Sequence, residues 1–257
     1  MPYFNVDRSD ELREKIVFCW SGGKDSALAL NRILHDDRYE VVSLLTTCNE
    51  YFQRVSMHGV RVELLDLQAA AIGLPLEKVF VSERSSNVEY EQRMSQCLLA
   101  HKSNGVVACA FGDIFLEDLR TWREANLASI GMKGVFPIWK TDTHDLIGEF
   151  FDLKFGTVIC CVNDAYLGED AVGRLIDQEF IASLPPEVDP CGENGEFHSF
   201  AFAGPVFKDP IPFTVGEKVY RPLEVTPLDD ASSSYVAPPG VRHTKGFWFC
   251  DLLPIEQ

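Results

Sequence analysis

The chain has 257 residues, a formal net charge of −16 at pH 7 and eight cysteines. This length suits one large domain, or one domain with a smaller one, and no run of about 18 apolar residues predicts a membrane span. The first 14 residues lack the apolar core of a signal peptide and the chain contains no C-x-x-C pair, so we expect a cytoplasmic protein with reduced thiols. The acidic charge disfavours tRNA as a partner, because such a surface repels a polyanion.

The first half of the chain alternates between strand and helix patterns. Predicted strands cover residues 15–20, 39–47, 78–81, 106–110 and 134–139, and predicted helices cover residues 27–34, 58–71, 88–101 and 117–129. Such alternation is typical of an α/β fold with a parallel, Rossmann-like sheet. We therefore expect a nucleotide-binding type of domain over residues 1–140, followed by a smaller α+β portion over residues 141–257.

The pattern changes after about Asp142. A strand is predicted over residues 157–162, with Cys160 and Cys161 in the core, and a helix over residues 168–180. A turn-rich segment follows, and residues 226–240, rich in Pro, Ser and Asp, are expected to form an exposed loop. A last strand over residues 246–253 is expected to pair at a sheet edge, where it would favour a homodimer.

A glycine loop stands between the first predicted strand and helix, with the sequence Ser21-Gly22-Gly23-Lys24-Asp25-Ser26. The N-terminus of a helix offers free backbone N–H groups and the positive end of a dipole, which attract phosphate. The loop is neither a Walker A motif nor a Rossmann G-x-G-x-x-G motif. It resembles the PP-loop of the N-type ATP pyrophosphatases, a HUP-type fold. That resemblance implies cleavage of ATP between the α- and β-phosphates and adenylation of a substrate oxygen.

Two further segments are expected at the same edge of the sheet. Residues 46–49 lie at the carboxyl end of the second predicted strand, and residues 112–114 follow the strand that ends at Ala110. Ligands of open parallel sheets bind outside the carboxyl ends of the strands, so these segments should meet the glycine loop.

A second unusual segment covers residues 189–200, with the sequence D-P-C-G-E-N-G-E-F-H-S-F. Taken alone, it suits either a solvated hairpin turn or a pair of carboxylates that hold Mg²⁺ or a reacting group. Together with the glycine loop about 170 residues earlier, it resembles the diphthine–ammonia ligase family. The segments 56–59, 112–114 and 136–139, with Arg120 and Arg123, also resemble that family, so that the resemblance covers roughly residues 15–215. It implies ATP, Mg²⁺ and ammonium as reactants, and elongation factor 2 as the acceptor if the source is archaeal or eukaryotic.

The resemblance assigns phosphate binding to the glycine loop. Backbone N–H groups of Gly22 and Gly23, with the hydroxyls of Ser21 and Ser26, should hold the phosphates. Lys24 either neutralises phosphate charge or is an exposed loop lysine. Asp25 either binds Mg²⁺ or caps the following helix. Gly112 and Asp113 should also contact the nucleotide, and backbone groups of Thr46 or Thr47 should recognise adenine.

The second segment would carry the chemistry of amide formation. Glu193 and Glu196 are expected to position Mg²⁺, ammonium or the substrate, with Glu196 joining Asp25 as a metal ligand. His198 and His58 are each either a catalytic base or a structural histidine, and His58 is also expected among the nucleotide-binding residues. Arg120 and Arg123 either bind a carboxylate or pyrophosphate, or lie on a solvated helix face.

These motifs favour an ATP-dependent, AMP-forming ligase that adenylates a carboxylate and amidates it with free ammonium, since no cysteine has the context of a glutaminase nucleophile. Two alternatives stay open. One is a PP-loop enzyme with another acceptor, a small molecule or tRNA. The other is a non-catalytic module that binds ATP or AMP, which the two glutamates disfavour.

Overall fold

A computed structural model of the protein describes residues 13–55, 58–82, 87–223 and 244–255. A first, mostly parallel sheet is formed by β1 (Glu14–Cys19), β2 (Tyr39–Asn49), β3 (Arg54–Val55), β4 (Leu76–Val81), β5 (Ala108–Ala110) and β6 (Lys133–Val135). Its helices are α1 (Lys24–Leu34), α2 (Val62–Ile72), α3 (Asn87–Ser103) and α4 (Glu117–Ser129). The parallel strands lie in the order β4-β2-β1-β5-β6, and β3 pairs antiparallel with the end of β2.

A second, antiparallel sheet follows in the chain. Its strands are β7 (Gly156–Asn163), β8 (Phe197–Ala203), β9 (Phe213–Pro222) and β10 (Gly246–Pro254), in the order β8-β7-β10-β9. The helices of this portion are α5 (Thr143–Asp152) and α6 (Gln178–Ser183). The expected α/β fold, with a Rossmann-like parallel sheet and a smaller C-terminal portion, is confirmed. The domain boundary near residue 140 stays a prediction.

The core has two layers, one on each face of the parallel sheet. One layer packs α3 and α4 against the sheet through residues such as Leu45, Met94 and Leu127. The larger layer continues from the sheet through α1 and α2 into the second sheet, where Phe200 is fully buried. The two sheets therefore share one hydrophobic core, and the strand ends of the first sheet are held against the second.

The local signals of the first half predict its helices and parallel strands, with three corrections. Helix α2 begins at Val62 and not at residue 58, because Gly59 has φ 69°; β6 ends at Val135 and not at residue 139; and β3 was not predicted. Gly73 ends α2 in the left-handed conformation, with φ 84°, as its place after the apolar stripe predicts. All eight cysteines lie among the described residues and are free thiols, and both Cys160 and Cys161 are buried in β7. Within the described ranges, no helix combines the length and the apolar character needed to cross a membrane.

The helix predicted over residues 168–180 is wrong. This segment runs beside β7 and exchanges backbone hydrogen bonds with it, including Gly173 N–H to Ile159 O at 2.8 Å and Ile176 N–H to Thr157 O at 3.0 Å. Gly173 has φ 83°, which interrupts a right-handed helix. Only α6 forms, after Asp177 caps it by accepting a hydrogen bond from Phe180 N–H at 2.8 Å.

One further expectation is wrong, one helix was not predicted, and two predicted segments lie outside the described residues. The last strand does not pair at an edge, because β10 lies between β7 and β9; the argument for a homodimer from its exposed edge is therefore lost. Helix α5, which the sequence patterns did not predict, begins after Asp142, whose carboxylate accepts a hydrogen bond from His144 N–H at 2.9 Å. The loop expected over residues 226–240, and residues 56–57 of the motif at 56–59, lie outside the described residues.

An ion-pair cluster joins the two sheets. Asp251 on β10 accepts hydrogen bonds from Arg54 on β3, at 2.9 Å, and from Arg61 before α2, at 2.6 Å and 3.0 Å. Burial raises the pKa of Asp251, but the two guanidinium groups outweigh this effect and bring it to about 2, below the ordinary 3.8. The cluster therefore stabilises the contact between the sheets wherever Asp251 is ionised.

We expect Asp251→Asn to lower the free energy of unfolding by about 1–2 kcal/mol at neutral pH, because two half-buried guanidinium groups lose their charged acceptor. Because the pKa is lower in the folded state, this contribution is complete above pH 3.8 and is lost as the pH falls towards 2. Urea denaturation at several pH values measures it. Asp37→Asn is the control, since the side chain of Asp37 is 96% exposed and its pair with Arg13 should contribute little. An equal effect of both substitutions would contradict the prediction.

Candidate functional site

The two unusual sequence segments meet in space at the carboxyl ends of the parallel strands. Ala201 N–H on β8 donates a hydrogen bond to Gly22 O at 2.8 Å, so the second sheet pairs with the glycine loop. Lys24 N–H donates to Ser199 Oγ at 3.1 Å, and Lys24 Nζ donates to Cys191 O at 2.7 Å. The loop before α1 and the turn before β8 therefore form one continuous site.

The glycine loop needs its glycines because its neighbours leave no room for side chains. Gly22 has φ 79°, and a Cβ there would lie 2.7 Å from Leu65 Cδ2. A Cβ on Gly23 would lie 2.8 Å from His58 Cε1 and 3.0 Å from Ser199 O. After β5, which is the strand next to β1, a Cβ on Gly112 would lie 3.0 Å from backbone atoms of Asp25 and Ser26. The three glycines thus let the loop, β8 and the end of β5 approach closely.

The loop hydroxyls are directed at the start of α1. Ser21 Oγ donates to Ser26 Oγ at 3.1 Å and accepts from Gly23 N–H at 3.3 Å. Ser26 Oγ donates to Gly23 O at 2.9 Å. Gly23, the N-cap residue of α1, has no side chain, and the Lys24 N–H of the first turn is instead bonded to Ser199 Oγ on β8. Backbone N–H groups at a helix N-terminus are suited to bind an anion.

Lys24 is a buried lysine and not the exposed loop lysine that was one reading of the sequence. Its side chain is 2% exposed, and its ammonium group contacts the Asp25 carboxylate as well as Cys191 O. Burial by itself lowers the pKa of Lys24, but the Asp25 and Glu193 carboxylates outweigh burial and hold the pKa above its usual range. Lys24 therefore stays charged and orients Asp25, whose side chain is 30% exposed.

Glu193 links the second segment to the end of β5. Its Oε1 accepts hydrogen bonds from Ile114 N–H at 2.8 Å and from Phe115 N–H at 3.3 Å. Burial, followed by repulsion from the Asp25 carboxylate, raises the pKa of Glu193 to about 7, although the two backbone N–H groups and Lys24 lower it. Glu193 is therefore a carboxyl group that can gain or lose a proton near neutral pH.

Glu196 has a different environment. It is 1% exposed, and its Oε1 accepts hydrogen bonds from Asp189 N–H at 3.0 Å and from Asn194 Nδ2 at 3.1 Å. Its Oε2 is buried and has no hydrogen-bond partner among the described residues. One oxygen of Glu196 thus stabilises the turn, and only the other is left for a ligand.

His58 and His198 stack against each other beside the glycine loop, with ring centroids 4.7 Å apart. His58 Nδ1 lies 3.1 Å from Ser199 O, a carbonyl that can only accept, so this nitrogen carries the proton. Burial lowers the pKa of both histidines, that of His198 to about 3, with further contributions from His58 and Lys24 in the latter case. His198 is therefore neutral at physiological pH, and its Nε2 is buried without a partner in the described part of the chain.

Thr46 and Thr47 lie inside β2, which continues to Asn49. Backbone groups of alternate residues in a strand face opposite neighbours. Leu45 O accepts from Trp20 N–H at 2.8 Å, so the backbone of Thr47 faces the same side, between the end of β1 and the start of β3. The backbone of Thr46 faces β4, and its Oγ1 is buried without a hydrogen-bond partner among the described residues.

Asp113 and the two arginines form a separate group at the end of β5. Arg123 pairs with Asp113 at 2.8 Å and lies over the ring of Phe111, with its Cζ 4.3 Å from the centroid. Arg120 lies over Phe136 and donates to Glu124 Oε1 at 2.8 Å. Burial raises the pKa of Asp113, whereas Arg123 lowers it. Both guanidinium groups are therefore already engaged within the protein.

Comparison with known proteins agrees with this arrangement. Residues 14–134 match the diphthamide synthase N-terminal domain, and residues 142–224 match the diphthamide synthase C-terminal domain. The chain belongs to the diphthamide synthase family. The family membership expected from the two motifs is thereby confirmed.

A relative in this family is the diphthine–ammonia ligase of Schizosaccharomyces pombe. It is 24% identical to this chain over 225 residues, which cover 80% of this chain and 37% of the relative. The chain thus spans little more than a third of the length of that curated ligase.

Three residues of this candidate site were missed in the sequence. Ser199 and Cys191 stand in the second segment, but they act through a hydroxyl and a backbone carbonyl, which residue type alone does not reveal. Gln68 on α2 is fully buried, donates to Gly22 O and Ala201 O, and accepts from Trp20 Nε1. Its signal was available, because a polar residue four positions after Leu64 falls on the apolar face of the helix.

We expect Gly22→Ala to destabilise this site more than Gly105→Ala does. Both glycines have positive φ, 79° and 88°, so each substitution costs about 1–2 kcal/mol for the left-handed backbone. Only the alanine at position 22 also meets Leu65 and Gln68, which adds about 1–3 kcal/mol, whereas the space around Gly105 is open. Chemical denaturation measures the free energy of unfolding of both variants, and equal losses would contradict the close packing described above.

We expect Glu193→Gln to become more stable, relative to the wild type, as the pH rises from 4.5 to 7. The raised pKa means that folded Glu193 holds its proton up to about pH 7, while the unfolded chain releases it near pH 4.5. The wild type therefore loses stability through this window, and the glutamine variant does not. Thermal unfolding between pH 4 and pH 8 measures the difference. The exposed Glu217→Gln serves as the control, and parallel profiles of wild type and Glu193→Gln would contradict the assignment.

Proposed function

We propose that the site binds ATP and cleaves it between the α- and β-phosphates to activate a carboxylate, which ammonia then converts to an amide. The observation that supports this best is the joining of the glycine loop to the C-terminal turn through Lys24, Cys191 and Ser199. A loop that only held phosphate would not need a buried lysine and two carboxylates from distant segments. Amide formation needs both a phosphate site and groups that handle a proton.

The phosphates of ATP would bind at the start of α1, as in a PP-loop. Backbone N–H groups of the glycine loop, with the hydroxyls of Ser21 and Ser26, supply the donors, and the helix dipole favours the negative charge. Lys24 contributes a positive charge at a fixed position, because its ammonium group is hydrogen-bonded to Asp25 and to Cys191 O. We assign recognition of an adenine edge to the backbone of Thr47, which lies between β1 and β3.

The carboxylate of Asp25 suits a magnesium ion, which would neutralise the leaving pyrophosphate. Mg²⁺ prefers oxygen ligands and is usually held by one or two carboxylates together with substrate phosphates. Asp25 is partly exposed and lies close enough to Glu193 to raise the pKa of that group. Glu193 therefore faces the same site as Asp25 and is kept free for proton transfer in our proposal, whereas Glu196 Oε1 is engaged by the turn.

In the first step, an oxygen of the acceptor carboxylate attacks the α-phosphorus, and the bond to pyrophosphate breaks. In the second step, ammonia attacks the acyl carbon and AMP leaves. Ammonium must first give up a proton, and Glu193, with a pKa of about 7, is suited to take it at neutral pH. His198 is a weaker candidate for this role, because its pKa of about 3 makes it a poor base.

The acceptor is proposed by family resemblance. The name of the curated relative, diphthine–ammonia ligase, identifies diphthine and ammonia as the reactants of that protein. We extend this to a carboxylate on elongation factor 2, if the source organism makes diphthamide, and otherwise to another carboxylate. The cytoplasmic location stays a prediction.

We expect the protein, given ATP, Mg²⁺, ammonium and a competent carboxylate, to form AMP and pyrophosphate in equal amounts. Chromatography of the nucleotides, with a coupled assay for pyrophosphate, measures the products. Candidate acceptors are elongation factor 2 that carries the unamidated side chain and a panel of small carboxylic acids. Release of ADP and phosphate would contradict the assignment to the PP-loop enzymes. Nucleotide binding without turnover for every acceptor would favour a sensor.

Asp25→Asn should reduce AMP formation by about 100-fold or more, since a preorganised charge at the reacting phosphates is lost. Asp37→Asn is the matched control, because Asp37 is an exposed aspartate outside the site. Thermal unfolding must first establish that Asp25→Asn folds. An unchanged rate in a folded Asp25→Asn protein would remove Asp25 from the mechanism.

A further inference from the structure

A cluster of three potential metal ligands lies away from the glycine loop. Glu77 is near the start of β4, and Cys97 and His101 lie one turn apart on α3. The carboxyl end of β4 faces the nucleotide site, and α3 runs back from that end, so its last turn lies near the opposite end of the sheet. The cluster is therefore separate from the site that the proposed function uses.

The three side chains converge on one point. Cys97 Sγ lies 3.0 Å from Glu77 Oε1, and His101 Nε2 lies 2.6 Å from Glu77 Oε2. One potential ligand atom from each residue lies within 4.8 Å of the other two. All three residues are partly exposed, so an ion from solvent can reach them. The spacing of four residues on α3 places the thiol and the imidazole on one helix face.

The donor set determines which ion would fit. A thiolate, an imidazole nitrogen and a carboxylate oxygen are the three ligand types that zinc uses in proteins, whereas Mg²⁺ and Ca²⁺ prefer oxygen alone. Three protein ligands leave one position of a tetrahedron for water. His101 is also in the last turn of α3, where the negative end of the helix dipole favours a cation.

We propose that Glu77, Cys97 and His101 bind a zinc ion that fastens the end of α3 to the edge strand β4. In this step Zn²⁺ forms bonds to one oxygen, the sulfur and one nitrogen. The thiol proton is released to solvent, the His101 proton moves from Nε2 to Nδ1 by exchange with solvent, and the hydrogen bonds to Glu77 are broken. The ion stabilises the fold, because it binds the folded arrangement of strand and helix and not the separated chain segments.

Titration of the metal-free protein with Co²⁺ and with Zn²⁺, in the absence of ATP and Mg²⁺, tests this proposal. We expect one Co²⁺ per chain, a near-ultraviolet charge-transfer band from a thiolate ligand, and displacement of Co²⁺ by Zn²⁺. We also expect Zn²⁺ to raise the temperature of thermal unfolding of the wild type.

Cys97→Ser should abolish the charge-transfer band, and His101→Asn should weaken Zn²⁺ binding by about tenfold or more. His144→Ala is the matched control, because the side chain of His144 is 80% exposed and pairs with the single carboxylate of Asp142. If Cys97→Ser does not fold, the His101→Asn and Glu77→Gln variants decide the question. A band that persists in folded Cys97→Ser, or Zn²⁺ affinity that is the same in His101→Asn as in His144→Ala, would overturn the proposal.

Discussion

The site depends on one contact, in which the edge strand β8 of the second sheet pairs with the glycine loop of the first. Ala201 N–H bonds to Gly22 O, Ser199 Oγ accepts from Lys24 N–H, and the close approach is possible only because Gly22 and Gly23 lack side chains. Gln68 on α2 stabilises the same contact with three hydrogen bonds. If this pairing were lost, the turn that carries Glu193 would separate from the helix N-terminus, and the phosphate site and the carboxylates would no longer form one site.

Burial of ionisable groups at this contact determines their protonation states. The ammonium group of Lys24 lies in the interior. It is tolerated there because a carboxylate and a backbone carbonyl accept its hydrogen bonds. The same low exposure raises the pKa of Glu193 and lowers the pKa of His198. Two groups that look alike as catalytic candidates are therefore separated by environment: Glu193 titrates near neutrality, whereas the imidazole of His198 stays neutral. In the reaction that we propose, this separation assigns proton transfer to the carboxyl group.

Much of the first half could be predicted from the sequence, because its signals are local. An apolar run, a glycine pair and an amphipathic stretch specify β1, the loop and α1 within a few residues, and Gly73 marks the end of α2. The second half was harder, since its elements depend on distant partners. Residues 168–180 have helical periodicity, but their backbone groups bond to β7. Likewise, β10 is the last strand in the chain and was expected at a sheet edge. It instead pairs with β7 on one side and with β9 on the other.

The sequence by itself determined the family, the α/β class and the identity of the two segments that form the site, because each rests on residue type at a fixed local spacing. Only the tertiary structure decided the state of each group: that Lys24 is buried and paired, that Glu193 lies with Asp25 while Glu196 supports a turn, and that His58 and His198 stack. The packing of α3 against β4 also places Glu77 next to Cys97 and His101. Burial, hydrogen bonding and pKa are properties of the surroundings of a side chain, and those surroundings come from segments up to about 170 residues away in the chain.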